Sequence, residues 1–307
     1  MEPVILDVDP GHDDAVAMMM ACGAPDLDLL AVTTVAGNVR LEKTTRNALR
    51  VLSLIERPDV PVAAGAAAPL RRPLYTAENI HGESGLGGPD IPEPTFEPDE
   101  RGAVELISDI LREAPEPVTL IPVGPLTNIA MLLREHPDIT PRISRISLMG
   151  GSTNLGNTTP AAEFNVYVDP EAAREVFESG LPITMCGLNV THQAGAGAAE
   201  RERLRSSGRF GGVVAELLEF FASTYKGVFG FDAPPLHDPV AVAAVMRPDL
   251  LTTRPMRVDV ECDSDLTRGE TVCDFYGVTG LPPNAEVGVG LDHDGFFELL
   301  YDSLSRL

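Results

Sequence analysis

Lysine is nearly missing from this chain. Of its 23 basic residues only Lys43 and Lys226 are lysines, and 46 acidic residues outweigh them all, leaving a formal charge of −23. A surface so short of positive charge repels phosphate backbones and anionic lipids, so neither nucleic acid nor a membrane surface is an expected partner. Acidity names no function by itself: it fits a solubility adaptation, including to a salty cytoplasm, and the arginine bias fits genomic base composition. Long apolar runs are also lacking. Nothing approaches the roughly 18 uninterrupted apolar residues of a membrane span, and the opening Met-Glu-Pro has no basic segment of the kind that starts an export signal. A soluble, cytoplasmic protein is expected. Cysteine is sparse as well: Cys22, Cys186, Cys262 and Cys273 make no CxxC and no metal-ligand spacing with histidine. They read as buried thiols of a reducing compartment, although Cys262 and Cys273 flank a turn-like segment and are placed to face each other.

What the chain does have is apolar content, 44% over 307 residues, enough for one large α/β domain or two modest ones. Short Val/Ile/Leu runs alternate with helical patterns. Strands are expected at Val4 to Val8, Leu27 to Val35, Val118 to Val123, Ile143 to Met149 and Ile183 to Cys186. Helices are expected over Asp13 to Cys22, over Leu41 to Ile55 and from Leu126. Continuous apolar strands separated by helices predict a mostly parallel sheet covered on both faces, with function at the carboxyl ends of the strands. Arg71 to Glu100, rich in Pro, Gly and charge, reads as a long surface loop. After Gly208 a helix is expected to about Lys226, and a loop then feeds another. From Arg257 to Val289 the runs RVDVEC, ETVCDFY and AEVGV predict antiparallel strands added to the end of the sheet, and an amphipathic helix closes the chain.

The chemistry concentrates in VILDVDPGHDDAVAMM, where Asp7, Asp9, Asp13 and Asp14 fall within eight residues behind the first strand. One or two acids at a helix start are explained by its free amides and positive dipole end. Four exceed that need, and unless a cation neutralises them they raise one another's pKa. An EF-hand is excluded by Gly11, His12 and Met18 at its fifth, sixth and twelfth positions. A dehalogenase-type phosphatase loop is disfavoured by Gly11 where Thr or Val is needed. A hard divalent ion held by oxygen donors stands against a capped, solvated loop.

DVDPGHDDA at Asp7 to Ala15 resembles the N-terminal signature of the inosine-uridine nucleoside hydrolase family. Further family motifs follow in order: TTVAGN ending at Asn38, IHG at Ile80, GPLTNIA at Gly124, MGG at Met149, GNTTPAAEFN from Gly156 to Asn165, and PPLHDP at Pro234. The resemblance covers nearly the whole chain. It implies a single domain over 1–307, homodimeric or homotetrameric, with one Ca²⁺ at the sheet edge and hydrolysis of the N-glycosidic bond of ribonucleosides in salvage. Carried onto matching positions, it makes Asp9, Asp14, Asp238 and the Thr127 carbonyl the Ca²⁺ ligands, with Asp7 supporting them. Asp9 would be the base for water, and Asp13 and Asn38 would hold the 2′-hydroxyl. Asn157, Glu163 and Asn165 would take the other ribose hydroxyls, and His237 would be the leaving-group acid.

Other positions keep two readings. His81 closes over the base or sits exposed in its loop. Phe164 lines the sugar pocket or belongs to the core. Tyr225 meets the nucleobase or packs beside Phe220 and Phe221. His12, Asn128, Thr153 and Asn154 receive no role. Two alternatives to nucleoside hydrolysis are weighed: a non-catalytic nucleoside or ribose binder, which would have no need of Asp9 and His237 as base and acid, and a hydrolase of modified or phosphorylated nucleosides, for which Arg71 or Arg72 would have to meet the phosphate. The sequence does not fix base preference, although an aromatic at Tyr225 leans toward acceptance of both inosine and uridine.

Overall fold

A computed structural model describes residues 1–307. Its strands are β1 (Glu2–Val8), β2 (Leu27–Thr34), β3 (Val62–Ala64), β4 (Val118–Pro122), β5 (Ile143–Met149), β6 (Ile183–Cys186), β7 (Leu251–Met256), β8 (Val258–Val260), β9 (Thr271–Cys273) and β10 (Ala285–Leu291). Eight of them form one sheet in the order β3-β2-β1-β4-β5-β6-β10-β7. Every pairing in it is parallel except that of β7 with β10. The chain winds outward from β1 to β3, then resumes on the other side of β1 with β4. The order therefore reverses beside β1, and at such a reversal a crevice opens at the strands' carboxyl ends.

The helices are α1 (His12–Gly23), α2 (Leu41–Leu54), α3 (Glu78–His81), α4 (Ala103–Glu113), α5 (Thr127–Glu135), α6 (Phe164–Val168), α7 (Pro170–Phe177), α8 (Leu188–Thr191), α9 (Ala198–Arg205), α10 (Gly211–Phe229), α11 (His237–Met246) and α12 (His293–Leu304). Each sheet face has its own core. Val4, Leu6 and Val8 of β1 join α1, α2, α10, α11 and α12 on one face, and Ile5 joins α4, α5 and α7 on the other. This two-sided burial is why β1 is apolar at every position from Val4 to Leu6 rather than alternating. Helices α1 and α11 pack against each other and are buried along almost their whole lengths. Neither has a polar face as a result. Their only acidic and histidine residues sit in their first turns, and both first turns open into the crevice beside β1.

Two expectations are revised. Arg71 to Glu100 runs over the surface largely without regular structure, as expected, but it is anchored: Ile80, His81, Leu86 and Ile91 in it are buried, and it contains α3. Asn47 Nδ2 holds the Ser84 carbonyl at 2.8 Å, and the Ala77 amide donates to the Asn38 carbonyl at 3.0 Å. Its apolar residues follow no period, so they leave no helical or strand signature. Near the C-terminus antiparallel pairing is present but distributed otherwise. AEVGV forms the start of β10, which is parallel to β6. RVDVEC and ETVCDFY supply β8 and β9, a separate two-stranded sheet. The antiparallel edge strand of the main sheet is β7, in LTTRPM. All four cysteines are free thiols. Cys273 lies opposite Val258, and the Cys262 thiol is directed at the Pro170 carbonyl, 3.4 Å away. No helix is long and apolar enough to cross a membrane.

Candidate active site

The crevice holds a cavity of about 250 Å³. Asp13, Asn38, His81, Asn157, Glu163 and Phe164 line it, joined by Asn165, Tyr225, His237 and Asp238. The segments that were far apart in sequence thus meet at one place. Carboxylate oxygens of Asp13, Asp14 and Asp238 lie within 4.8 Å of one another, all buried.

The turn after β1 explains how Asp9 and Asp14 are held. Asp14, the third residue of α1, folds back to accept from the Gly11 amide at 2.9 Å and the Asp9 amide at 3.1 Å. Asn38 clamps the same turn from β2's end. Its amide donates to Asp9 Oδ2 at 2.6 Å, and its Nδ2 reaches the Asp9 carbonyl at 3.1 Å and Asp14 Oδ2 at 3.2 Å. Gly37 permits this approach, since a Cβ there would lie 2.1 Å from Asp9 Oδ2. Asp9 Oδ1 is buried without any hydrogen-bond partner. An orphaned carboxylate oxygen is costly in a protein interior unless a cation or water meets it.

Electrostatics carry the same message. Burial first, and then the charges of Asp14 and Asp13, push Asp9 well above the carboxylate range; burial and the charges of Asp13, Asp14 and Asp9 do the same to Asp238. Asp13 rises to about 8, through burial and then Asp14. Four acids whose charges oppose one another in one buried pocket, with only oxygen donors between them, fit a hard divalent cation. Asp7 stands behind them. Its Oδ1 accepts from Thr33 at 2.6 Å and Asn128 at 2.7 Å, its Oδ2 has no partner, and burial lifts it to about 7. Thr127 is buried at the start of α5, next to Asn128, and its hydroxyl donates to Asp169 at 2.7 Å.

Around the rest of the cavity, Asn165 donates from Nδ2 to the Val123 and Met149 carbonyls at 2.7 and 3.1 Å, which leaves its Oδ1 without a protein donor. Glu163 caps α6. Its Oε1 accepts from the Asn165 amide at 2.9 Å, its Oε2 from the Gly151 and Val166 amides at 2.9 and 3.2 Å, and burial raises it to about 7. Phe164 is half-buried and tilted toward Tyr75, 6.3 Å between centroids, so it lines the cavity rather than filling the core.

At the far wall His237 begins α11. Thr191 Oγ1 lies 2.7 Å from its Nδ1 and the Tyr225 hydroxyl 2.7 Å from its Nε2. Burial, then the neighbouring His192, lowers its pKa to about 3, so the imidazole is neutral. Both ring nitrogens are therefore occupied, and Tyr225 stands at the cavity as the hydroxyl on His237. Tyr225 also packs against Phe221, 4.5 Å between centroids, as its packing reading expects. His81 is buried, its Nδ1 3.1 Å from Nδ1 of His12. His12 donates from Nε2 to the Gly87 carbonyl at 2.8 Å and stacks on Phe220 and Phe221. Sequence reasoning passed over Thr191 and His12. Neither carries a pattern, because each acts on a partner remote in sequence.

Comparison with known proteins agrees with this constellation. Residues 4–298 match the family described as inosine-uridine preferring nucleoside hydrolase. The chain is 52% identical over 304 residues to the pyrimidine-specific ribonucleoside hydrolase RihA of Salmonella paratyphi A, covering 98% of each chain. It is equally similar, over the same coverage, to the protein so named from Escherichia coli O157:H7. Among solved structures it superposes on a purine-preferring ribonucleoside hydrolase from Gardnerella vaginalis with a TM-score of 0.92 at 33% identity, covering 99% of this chain and 98% of that one. On this agreement of sequence, fold and site, the chain belongs to the inosine-uridine preferring nucleoside hydrolase family and is an N-ribosyl hydrolase.

Proposed function

We propose that the protein hydrolyses the N-glycosidic bond of ribonucleosides with Ca²⁺ as its metal, that pyrimidine ribonucleosides are its preferred substrates, and that it serves nucleoside salvage. One observation carries the reading: the clustered buried carboxylates of Asp13, Asp14 and Asp238, with Asp9 repelled by Asp13 and Asp14 beside them, adjoin a cavity whose opposite wall is a His237–Tyr225 hydrogen-bonded pair. The pyrimidine preference is supported by the names of the RihA relatives at 52% identity.

In this reading Asp9, Asp14, Asp238 and the Thr127 carbonyl hold the ion, with Asp7 bracing the turn through Thr33 and Asn128. When bound, Ca²⁺ supplies positive charge that offsets the carboxylates and orients water and sugar hydroxyls. Asp9, whose Oδ1 is unengaged, takes the proton of the attacking water. Asp13 and Asn38 hold the ribose 2′-hydroxyl, and Asn157, Glu163 and Asn165 hold the remaining hydroxyls. As the base departs, positive charge spreads over the sugar ring, and the surrounding carboxylates and amide oxygens oppose it most strongly at that moment. His237 and Tyr225 together supply the hydrogen bond to the leaving base, while His81 and Phe164 border the base and sugar.

The phosphorylated-substrate alternative loses ground because neither Arg71 nor Arg72 lines the cavity, and Arg72 is engaged by Glu171 at 2.8 Å and by the Cys262 carbonyl at 2.6 Å. We place residues 1–307 in one nucleoside hydrolase domain, acting in the cytoplasm as a homodimer or homotetramer. Exposed Leu266, Tyr276, Val278 and Leu281 near the β8–β9 sheet supply apolar surface for such an assembly. Ribose release from uridine, cytidine, inosine and adenosine tests the function directly. Faster turnover of uridine and cytidine is expected, and nucleoside binding without ribose release would replace hydrolase with binder.

A further inference from the structure

Thr191 is fully buried, and its hydroxyl touches a single polar side chain, Nδ1 of His237 at 2.7 Å. A hydroxyl can donate or accept there, but only one choice leaves no buried proton stranded. If the His237 ring donated from Nδ1, the Thr191 oxygen would accept and its own proton would have no acceptor, a costly arrangement in a dry interior. Thr191 therefore donates to Nδ1. The imidazole proton is then on Nε2, which lies 2.7 Å from the Tyr225 oxygen. With that oxygen already accepting from Nε2, the Tyr225 proton has no place on His237 and turns into the cavity that Tyr225 lines.

We propose that Thr191 is a positioning residue that fixes the His237 tautomer, so that Tyr225 donates a hydrogen bond to the leaving base, keeping its own proton while the departing base anion takes one from water. The direction of the chain is Thr191 to His237 to Tyr225 to base. The reverse tautomer would turn the Tyr225 proton back onto Nε2 and leave the base facing a bare oxygen. This rests on the hydrolase reading given above and adds a residue to it that touches neither sugar nor base. Thr191 occupies the last position of the short helix α8, where Thr191 N–H donates to the Gly187 carbonyl at 3.0 Å, so the hydroxyl is held by backbone as well as by burial.

The test compares two leaving groups in the Ca²⁺-loaded enzyme: uridine, whose base must gain a proton, and 4-nitrophenyl riboside, whose phenolate departs unaided. Thr191→Val keeps the shape and removes the proton. It is expected to lower kcat on uridine by about 10- to 100-fold, with KM little changed and 4-nitrophenyl riboside turnover retained. Thr191→Ser should restore uridine turnover, and Thr191→Val should cost nothing further in a Tyr225→Phe background. Equal loss on both substrates, in Thr191→Val and in Thr191→Ala alike, would overturn the proposal, as would undiminished uridine turnover by Thr191→Val. A wild type that releases ribose from neither substrate would instead overturn the hydrolase reading, and this inference with it.

Discussion

At the scale of single residues, the proposed mechanism assigns the attacking water to Asp9 and the leaving base to His237 with Tyr225. Asp9→Ala removes the group assigned to the attacking water and should lower kcat by roughly 100- to 10,000-fold on every nucleoside, read as released ribose. His237→Ala should act differently, because it removes the support of Tyr225 and leaves the water side intact. Its loss should be large on uridine and small on a riboside whose leaving group needs no proton. The aspartates and Asn38 were legible in the sequence because the turn that assembles them is nearly contiguous: Asp9, Asp13 and Asp14 lie in one signature, and Asn38 ends the next strand's turn. Thr191 was not legible. A threonine in an apolar stretch has no spacing to betray it, and its partner lies 46 residues away.

At the scale of elements, the segment from Arg71 to Glu100 matters most. It carries His81 down onto the turn after β1, where Gly11 leaves room: a Cβ at Gly11 would lie 2.4 Å from His81 Nδ1. His81 stacks on His12 and Phe221, so it has little freedom to move aside. Gly11→Ala should therefore displace His81, crowd Asn38 Nδ2 at 3.0 Å and raise KM for nucleosides, measurable by steady-state kinetics. The sequence offered α1, α2, α5 and the central strands to within a residue or two, because burial on both faces makes continuous apolar runs, and it left α4, α7 and α9 unread. It hid β7, whose residues from Thr252 to Pro255 are exposed and which contains a proline. Only an edge strand tolerates that composition, and edge strands have weak signatures.

At the scale of the molecule, the unloaded site is an electrostatic burden with a defined pH window. Burial raises Asp7 and Glu163 to about 7 and Asp13 to about 8, and it also lifts Asp9 and Asp238 well above the ordinary carboxylate range. The depressed histidines oppose this around pH 6.5, where the unfolded chain's imidazoles still hold protons, and their effect fades by about pH 7.5; the raised carboxylates outnumber them. Between about pH 6.5 and 8 the folded protein then binds more protons than the unfolded chain, and its stability falls as pH rises. Melting in a chelator should show Tm decreasing over that interval, and added Ca²⁺ should raise Tm most at its upper end, where the carboxylates are most fully charged. The most direct test of the account is ribose release from uridine by chelator-treated protein, titrated with Ca²⁺. A Ca²⁺-dependent hydrolase should show no release without the ion and full recovery with it. Undiminished release in excess chelator would contradict the account.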